Sequence, residues 1–474
     1  MKRTRIAAAV LLAFAPLGAL ATNGMNMEGY GPISTGMGGA SMAYDNGAAA
    51  MMNNPATIGL MPEGQRIDGA LGNLGPKITS SMAGQSDAAS SATSFWMPAA
   101  GWVKKAGPMA YGLGVFAQGG MGTQYDANSF MSAGSGRQTR SEVGVMRIMV
   151  PFAFDMNPAF KLGGSIDYVR ASMDLQMAMS GSQLMDMMPT NLNPGAKQNF
   201  GTVSGSMINT FGQAMGAGQI TGINWGYFDF SDSNKFSGKA QGNGFAAKIG
   251  GVYKVSPKLS LGAAYHSKTQ IGDLEATGAT VSMNVTLGAG LGGGQATVPV
   301  TGKISVKNFQ WPETYGFGMA YQMSDSTMLV ADYKNIGWAK VMKDFKMTFT
   351  ADSTQSGMAG TFGLGGAVMD ATMYQNWKDQ NVFMLGTAIK GSETTTWRAG
   401  LNVANNPIPD YYMNPLFPAI VKNHLMGGVG YTMSKVSSVD FSLTYAPSVS
   451  VTNGQGVTTK HGQTNWQLIY SYRF

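Results

Sequence analysis

The side chains with the clearest chemical potential are five cations that lie in segments of alternating apolar and polar residues. Each occupies the polar parity of its segment, and the five are Arg147, Lys248, Lys268, Lys334 and Arg398. In a partly dry pocket, arginine and lysine can hold a carboxylate through charge-assisted hydrogen bonds. The alternative is that they pair with acidic neighbours such as Asp167 and Asp332. The sequence leaves both interpretations open.

Catalytic or metal-binding chemistry has little support. The three histidines, His266, His424 and His461, lie in separate segments without a serine or acidic partner at a recognisable spacing. The chain has 0 cysteines, which excludes disulfides, thiolate metal sites and cysteine nucleophiles. We therefore expect no catalytic residue, no metal site and no cofactor, and we predict that the protein is not an enzyme.

The elements that position these side chains are predicted to be β-strands, because large apolar residues recur at every second position. The last ten residues show this clearly, since Trp466, Leu468, Tyr470, Tyr472 and Phe474 alternate with other, mostly polar, residues. A strand with lipid on one side and an aqueous lumen on the other requires this period of two. About fourteen such segments predict an all-β fold, with the five cations facing the lumen.

The connections between these segments alternate in length, which supports a barrel independently. Short turns are predicted at 105–108, 156–158, 256–257, 324–325, 391–393 and 434–436, and each intervening connection is long. Barrels of the bacterial outer membrane have tight periplasmic turns and longer extracellular loops. We therefore predict a transmembrane antiparallel β-barrel over residues 65–474, with both ends at the periplasmic side.

Residues 1–21 are predicted to be a signal peptide for export. Lys2, Arg3 and Arg5 precede an apolar run over residues 6–14, and small residues follow at 19–21. That run is shorter than the ~20 residues that a spanning helix needs. The formal net charge of +7 falls to +4 without these three cations, which does not suggest a nucleic-acid partner.

Residues 22–64 lack strand alternation and are predicted to form a plug, or hatch, inside the lumen. The segment is rich in glycine and methionine and contains Asn54, Pro55 and Ala56 just before the first strand. Asparagine is a favourable N-cap and proline suits the first helical position, so a short helix is predicted to begin there. The alternative is a disordered periplasmic tail.

The longest connection, residues 173–243, is predicted to be extracellular and unusually apolar. Its candidate ligand-capture residues are Met185, Met188, Trp225 and Phe228. An apolar loop outside the membrane must bury its surface in itself or offer it to a ligand. Methionine is flexible and polarizable, so it suits surfaces that accept varied apolar shapes. A hydrophobic capture groove and packing that only stiffens the loop are the two interpretations.

Glycines interrupt the third predicted strand. Alternation through Tyr111, Leu113 and Val115 ends in a run that contains Gly119, Gly120 and Gly122. Glycine weakens a strand interior and permits a bulge or a bend. The run predicts either a kink with a gap in the barrel wall or an ordinary exit into a loop.

Several motifs, taken in order along nearly the whole mature chain, resemble those of the FadL-like long-chain fatty acid and hydrocarbon transporters of the outer membrane. Asp45 is followed by the Asn54, Pro55 and Ala56 triplet ahead of the first strand. The other matching motifs are residues 311–314 (WPET), residues 331–333 (ADY) with Trp338, residues 376–379 (NWKD), residues 397–400 (WRAG) and residues 406–410 (NPIPD).

This resemblance implies a monomeric barrel of fourteen strands that takes up hydrophobic compounds by passive diffusion without a cofactor. Extracellular loops would catch the ligand, a lumen pocket would hold it, and it would leave sideways at the kinked third strand, which makes Gly119, Gly120 and Gly122 lateral-gate candidates. Long-chain fatty acids are the leading ligands, aliphatic or aromatic hydrocarbons come next, and a general porin is the remaining alternative. Outer-membrane lipid and, through the C-terminal strand, the barrel-assembly machinery are the expected partners.

Overall fold

The computed structural model describes residues 23–234 and 238–474, and the predicted signal peptide of residues 1–21 lies outside them. The strands in chain order are β1 (Gly64–Met82), β2 (Ala88–Ala89), β3 (Phe95–Ala106), β4 (Met109–Tyr125), β5 (Thr139–Asn157), β6 (Phe160–Ser180), β7 (Gly201–Ser204), β8 (Ile220–Phe230), β9 (Ala240–Lys254), β10 (Leu259–His266), β11 (Gln270–Ile271), β12 (Leu274–Leu287), β13 (Gln295–Lys307), β14 (Thr314–Ser324), β15 (Thr327–Ile336), β16 (Asp344–Ala351), β17 (Val368–Tyr374), β18 (Gln380–Lys390), β19 (Thr395–Ala404), β20 (Asn423–Thr432), β21 (Ser437–Thr452) and β22 (Val457–Arg473).

A closed antiparallel barrel is formed by pairing of these strands. Within the described residues, fourteen of them pair around a ring in the order β1, β3, β4, β5, β6, β9, β10, β14, β15, β18, β19, β20, β21 and β22, and β22 returns to β1. The short turns lie where the sequence predicts them. The predicted fold class is confirmed.

The circuit is longer at its extracellular end, where two more strands enter between β6 and β9. There β6 pairs with β8, β8 with β12, and β12 with β9 through Glu275 and Gln241. Counted through this extension, the described circuit has sixteen strands, against the predicted value of about fourteen. The difference comes from β8 and β12, which lie in two of the predicted long connections. Residues 173–180 belong to β6 and 240–243 to β9, so the loop is shorter than predicted.

The outer face of the ring is apolar and exposed. Large apolar side chains form a continuous exposed band, in which Phe152, Ile166, Phe317 and Phe383 are 54%, 64%, 56% and 58% exposed. A water-soluble protein rarely exposes so large an apolar surface. Such a surface requires lipid around it. No helix among the described residues is long and apolar enough to cross a membrane.

The N-terminal segment, residues 23–63, lies inside the ring and is nearly all buried. It contains α1 (Pro32–Thr35) and two 3-10 helices, Ala48–Met51 and Pro55–Leu60. The remaining helices lie in the long loops: α2 (Gly181–Met187), α3 (Ser206–Gly216), α4 (Gly357–Thr361) and the 3-10 turns Phe130–Ser132, Ala289–Leu291, Trp338–Lys340 and Asp410–Tyr412. We call residues 23–63 the hatch segment. Its action as a plug stays a prediction.

Candidate functional site: the hatch segment and the opening in the wall

The triplet Asn54, Pro55 and Ala56 fastens the hatch segment to the barrel wall. The Asn54 amide donates to the carbonyl oxygens of Met42 (2.7 Å) and Gly251 (3.1 Å), and its oxygen accepts from the Ala56 N–H (3.1 Å). Pro55 occupies the first position of the 3-10 helix, which confirms the predicted short helix. The triplet therefore caps its own helix and also binds β9.

Two wall glycines make room for this triplet, and no sequence pattern singles them out. A Cβ atom at Gly163 would lie 2.6 Å from the Ala56 backbone, and one at Gly250 would lie 2.0 Å from Asn54 Oδ1. Both distances are shorter than those that real Cβ atoms show in proteins. The hatch segment thus requires glycine at these points of β6 and β9.

Buried carboxylates of the wall hold two further stretches of the hatch segment. Asp332 Oδ2 accepts from the backbone N–H groups of Ser41 (2.6 Å) and Met42 (3.0 Å), and Asp68 Oδ2 accepts from that of Ala48 (2.6 Å). The hatch in turn supplies Asp45, whose carboxylate forms a two-pronged pair with Arg66 of β1 at 2.9 and 3.0 Å. Charged groups on β1 and β15 therefore fix the segment at separate points.

Replacing Asp332 by Ala is expected to loosen residues 41–42. Two buried N–H groups would lose their acceptor, at a cost of about 1–3 kcal/mol each. We expect amide hydrogen exchange at Ser41 and Met42 to rise by roughly 30-fold or more, since about 1.4 kcal/mol corresponds to a factor of ten. Asp370→Ala, which changes an exposed extracellular aspartate, is the control and should leave these amides unchanged. Equal exchange in both variants would contradict the anchoring role.

Three of the five cations predicted to face the lumen form ion pairs with acidic side chains. Arg147 and Lys248 both reach Asp167 Oδ2 at 2.7 Å, and Arg398 reaches Asp440 at 2.7 Å. All three cations face inward, as the parity of their strands predicts. Arg398 and Asp440 balance each other, whereas Arg147 and Lys248 share the single charge of Asp167.

The other two predicted lumen cations differ. Lys268 is exposed and follows the end of β10, so its predicted position inside the lumen is wrong; the alternation that suggested it stops at His266. Lys334 is half-buried on the inward parity of β15, and among the described residues no carboxylate lies within 4.0 Å of its ammonium group. Its contact with a ligand stays a prediction.

The wall opens between β3 and β4. Their pairing stops at Ala99 and Phe116, beyond which residues 95–98 pair only with β1 and residues 117–125 pair with β5. A register shift between Ala117 and Gly119 places a bulge at Gln118. We call this unpaired region the lateral opening. It contains Gly119, Gly120 and Gly122, whose role as a lateral gate stays a prediction.

The first residues of the hatch segment lie directly behind the lateral opening. The Gly120 N–H donates to the Met25 carbonyl oxygen (3.1 Å), and the Gln118 carbonyl oxygen accepts from the Tyr30 hydroxyl (2.6 Å). The indole N–H of Trp311 donates to Asn26 Oδ1 (2.6 Å). The hatch segment therefore replaces part of the strand pairing that β4 lacks.

Gly119→Ala is expected to push the hatch segment off β4. A Cβ atom at this position would lie 2.2 Å from the Met25 carbonyl oxygen and 3.1 Å from Trp311. Such overpacking costs about 1–3 kcal/mol, so exchange of the Gly120 N–H should accelerate by roughly tenfold. Gly144→Ala is the matched control, since its nearest neighbour would be Ser172 Oγ at 3.9 Å. Unchanged exchange in a folded Gly119→Ala protein would show that this contact is not needed.

A cavity of about 660 Å³ connects the lateral opening with the lumen. Its wall is mainly apolar and includes Met25, Met27, Phe95, Trp96, Met97 and Val145. Trp96 is 46% exposed toward the outside, whereas Val145 is buried inside, so the cavity passes through the wall. Its charged lining residues are Glu28, Glu142 and Arg170.

The predicted capture residues lie within the extracellular loops, and two of them are packed inward. Met188 and Phe228 are 2% and 3% exposed, while Met185 and Trp225 are half-buried. Met185, Met188 and Phe228 join a hydrophobic cluster that continues into the neighbouring loop strands. In this conformation Met188 and Phe228 are not on an open groove, and a capture role for all four residues stays a prediction.

A cation stiffens the same loop region. The Arg137 guanidinium lies 5.5 Å from the Trp225 ring centre and 5.0 Å from that of Tyr227, a cation–π arrangement. The Tyr227 hydroxyl donates to the Gln138 carbonyl oxygen at 2.6 Å. Burial raises the pKa of Tyr227 above its usual value, so this hydroxyl keeps its proton. Trp225 is thereby held in place beside the lumen entrance.

Comparison with known proteins places the chain among membrane transporters. The family model described as outer membrane protein transport protein (OMPP1/FadL/TodX) matches residues 8–470. An uncharacterized protein of Chlorobium limicola, described as lying in the 5′ region of a phosphoenolpyruvate carboxykinase gene, is 50% identical over 74 residues. That match covers 15% of this chain and 36% of the relative, so it spans only about a third of that protein.

Solved structures share the whole architecture. The toluene transporter TodX of P. putida is 26% identical, with a TM-score of 0.78 over 95% of this chain and 99% of that one. The toluene transporter TbuX of Ralstonia pickettii is 29% identical, with a TM-score of 0.73 over the same shares. A Pseudomonas aeruginosa FadL homologue, 14% identical with a TM-score of 0.68 over 95% and 100%, shows the fold alone. The chain belongs to the OMPP1/FadL/TodX family of outer-membrane transport proteins.

Proposed function

We propose that the protein admits small uncharged hydrophobic compounds, aromatic hydrocarbons included, through the outer membrane by passive diffusion. The observation that carries this proposal is the apolar cavity that passes through the wall at the lateral opening and is closed behind by the hatch segment. A ligand that leaves through this opening enters lipid without crossing water. No step needs an energy source or a reacting group, so we propose a channel rather than an enzyme.

The proposed route begins at the extracellular loops and ends in the membrane. The half-buried Met185 and Trp225 would receive the ligand, and the lumen above the hatch segment would pass it to the cavity. Movement of residues 25–27 away from β4 would widen the passage. A general porin is disfavoured because the hatch segment fills the lumen that a simple pore keeps open.

The charged residues around the cavity favour an uncharged ligand over long-chain fatty acids, which are the leading ligands predicted from the sequence. Arg147, Lys248 and Arg398 already pair with wall carboxylates. In the cavity lining Glu142 pairs with Arg140, and Glu28 and Arg170 are of opposite sign, so the lining offers a fatty acid carboxylate no surplus of positive charge. The similar proteins TodX and TbuX are toluene transporters, and the similar CymD is a monoaromatic hydrocarbon channel.

Fatty acids remain the second candidate, because Lys334 is an inward cation without a carboxylate partner among the described residues. It lies on β15, across the lumen from the lateral opening. A fatty acid bound there would place its carboxylate near Lys334 and its chain in the lumen. Neutralising this lysine separates the two candidates.

Binding of toluene, an uncharged long-chain alkane and oleate to the purified protein in detergent tests the proposal. We expect the two hydrocarbons to bind at least as tightly as oleate, with no change in Lys334→Gln or Arg170→Gln. The control is Lys435→Gln in a periplasmic turn. Preferential oleate binding that is lost in Lys334→Gln would instead identify a fatty acid channel, and binding of no compound would revive the porin interpretation.

A further inference from the structure

A long apolar groove runs across the outside of the barrel, opposite the lateral opening. It is a shallow depression open to the lipid, with a volume of about 870 Å³. Its lining comes from seven consecutive strands of the ring, from β6 to β19. At a strand spacing of about 4.8 Å, the groove is roughly 29 Å long.

Two rows of outward side chains form its walls. Met319, Ala331 and Leu385 are direct cross-strand partners in one row, and Phe317, Tyr333 and Phe383 are partners in the other. In the second row, the centre of the Tyr333 ring lies 5.1 Å from that of Phe317 and 5.1 Å from that of Phe383, so the three rings form a continuous aromatic wall. Between the rows the floor is the backbone of β10 and β14 at Gly262 and Gly318, whose Cβ positions point inward toward Met42 and Asp332.

The groove climbs from the periplasmic rim toward the middle of the membrane. At one end Phe160 and Tyr253 lie next to the turns that connect β5 with β6 and β9 with β10. At the other end Leu401 is six residues beyond the start of β19. Strands of such barrels tilt by about 35–45° from the barrel axis. The rows of side chains that cross these strands are therefore inclined to the membrane plane, and an acyl chain lying along them would rise from the periplasmic rim.

Cations lie at the low end of the groove. Lys254 follows Tyr253 directly, and Lys258 begins the far side of the same turn; both are exposed. In the described part of the chain neither lysine belongs to an ion pair. Lysines at a membrane surface attract anionic lipid headgroups by about 1 kcal/mol each. A chain-shaped apolar groove with free cations at its mouth matches one chemical class of ligand.

We propose that the groove binds one anionic phospholipid of the periplasmic leaflet, with an acyl chain between the two rows and the phosphate beside Lys254 and Lys258. The lining is almost wholly apolar, so burial of acyl methylene groups against it favours an occupied groove. This inference is independent of the transported compound.

Native mass spectrometry of the full-length protein, released from detergent micelles that contain phosphatidylglycerol or phosphatidylcholine, tests it. The wild type should retain one phosphatidylglycerol. Ala331→Trp, which fills the groove, should retain roughly fivefold less, and Lys254→Gln with Lys258→Gln should lose the preference for phosphatidylglycerol over phosphatidylcholine. Ala247→Trp, at an exposed alanine outside the groove, and Lys435→Gln are the matched controls and should behave as wild type.

Three results would overturn the proposal. Equal retention in Ala331→Trp and Ala247→Trp would place the lipid elsewhere. A dimer that disappears in Ala331→Trp would show that a second copy of the chain covers the groove. Displacement of the lipid by glycerol phosphate alone would show a headgroup site without a chain site. Because the lysine variants do not touch the barrel packing, they keep the test valid even if Ala331→Trp fails to fold.

Discussion

A barrel that lacks residues 23–61 is expected to conduct ions steadily, whereas the full-length protein should conduct little. Barrel diameter grows with the number of strands, and about eight strands already enclose an interior that side chains alone can fill. A fourteen-strand ring therefore leaves a wide lumen, which the hatch segment occupies here. We expect single-channel conductance in a planar bilayer to be at least roughly tenfold larger after the deletion.

The control for this deletion is Asp332→Ala, which loosens the hatch segment without removing it and should give brief openings only. The ring must also be shown intact by heat-modifiable migration on a gel, because β1 begins only at Gly64. If the deleted, folded barrel stays as poorly conducting as the full chain, the hatch segment is not the plug.

Filling the lateral opening is expected to abolish most uptake of hydrophobic compounds. Ala117 lines the cavity where pairing between β3 and β4 has ended. A tryptophan there would occupy the passage and pack on the apolar lining, so Ala117→Trp should lower the initial rate of toluene uptake by whole cells by roughly tenfold or more. This magnitude corresponds to a barrier increase of about 1.4 kcal/mol.

Ala399→Trp serves as the matched control, because Ala399 occupies the same kind of position on β19, far from the opening. The Ala399→Trp protein should reach the membrane in the same amount as Ala117→Trp, and its initial rate of toluene uptake should equal that of the wild type. Normal uptake by Ala117→Trp at equal surface amounts would mean that ligands leave the barrel by another route, such as the periplasmic end.

The membrane-spanning strands could be predicted from the sequence because their side chains face two different solvents. Lipid on one side and a polar lumen on the other impose a period of two, and short turns mark the periplasmic rim. The same parity correctly placed Arg147 and Lys248 inside the barrel, where they are 1% and 5% exposed. It could not show that both share Asp167, since partners on neighbouring strands depend on register.

The extracellular strands and the opening were harder to predict for a physical reason. Above the membrane, β8 and β12 bury apolar residues against other loops, so neither face alternates against lipid. Lys268 was misplaced because the alternation of β10 ends two residues before it. The glycines at 119, 120 and 122 indicated a possible gap, but a glycine run alone does not distinguish a bulge from a loop; the interrupted pairing with β3 does.

The hydrogen bonds of the hatch segment have a consequence for the order in which the protein folds. Ser41 pairs with Asp332, which lies 291 positions later, and Glu28 accepts from Asn465, 437 positions later. Contacts so distant along the chain form slowly because a long loop must close first. The hatch segment can therefore settle only after the last strand has closed the ring, so these early residues are the last to reach their final structure.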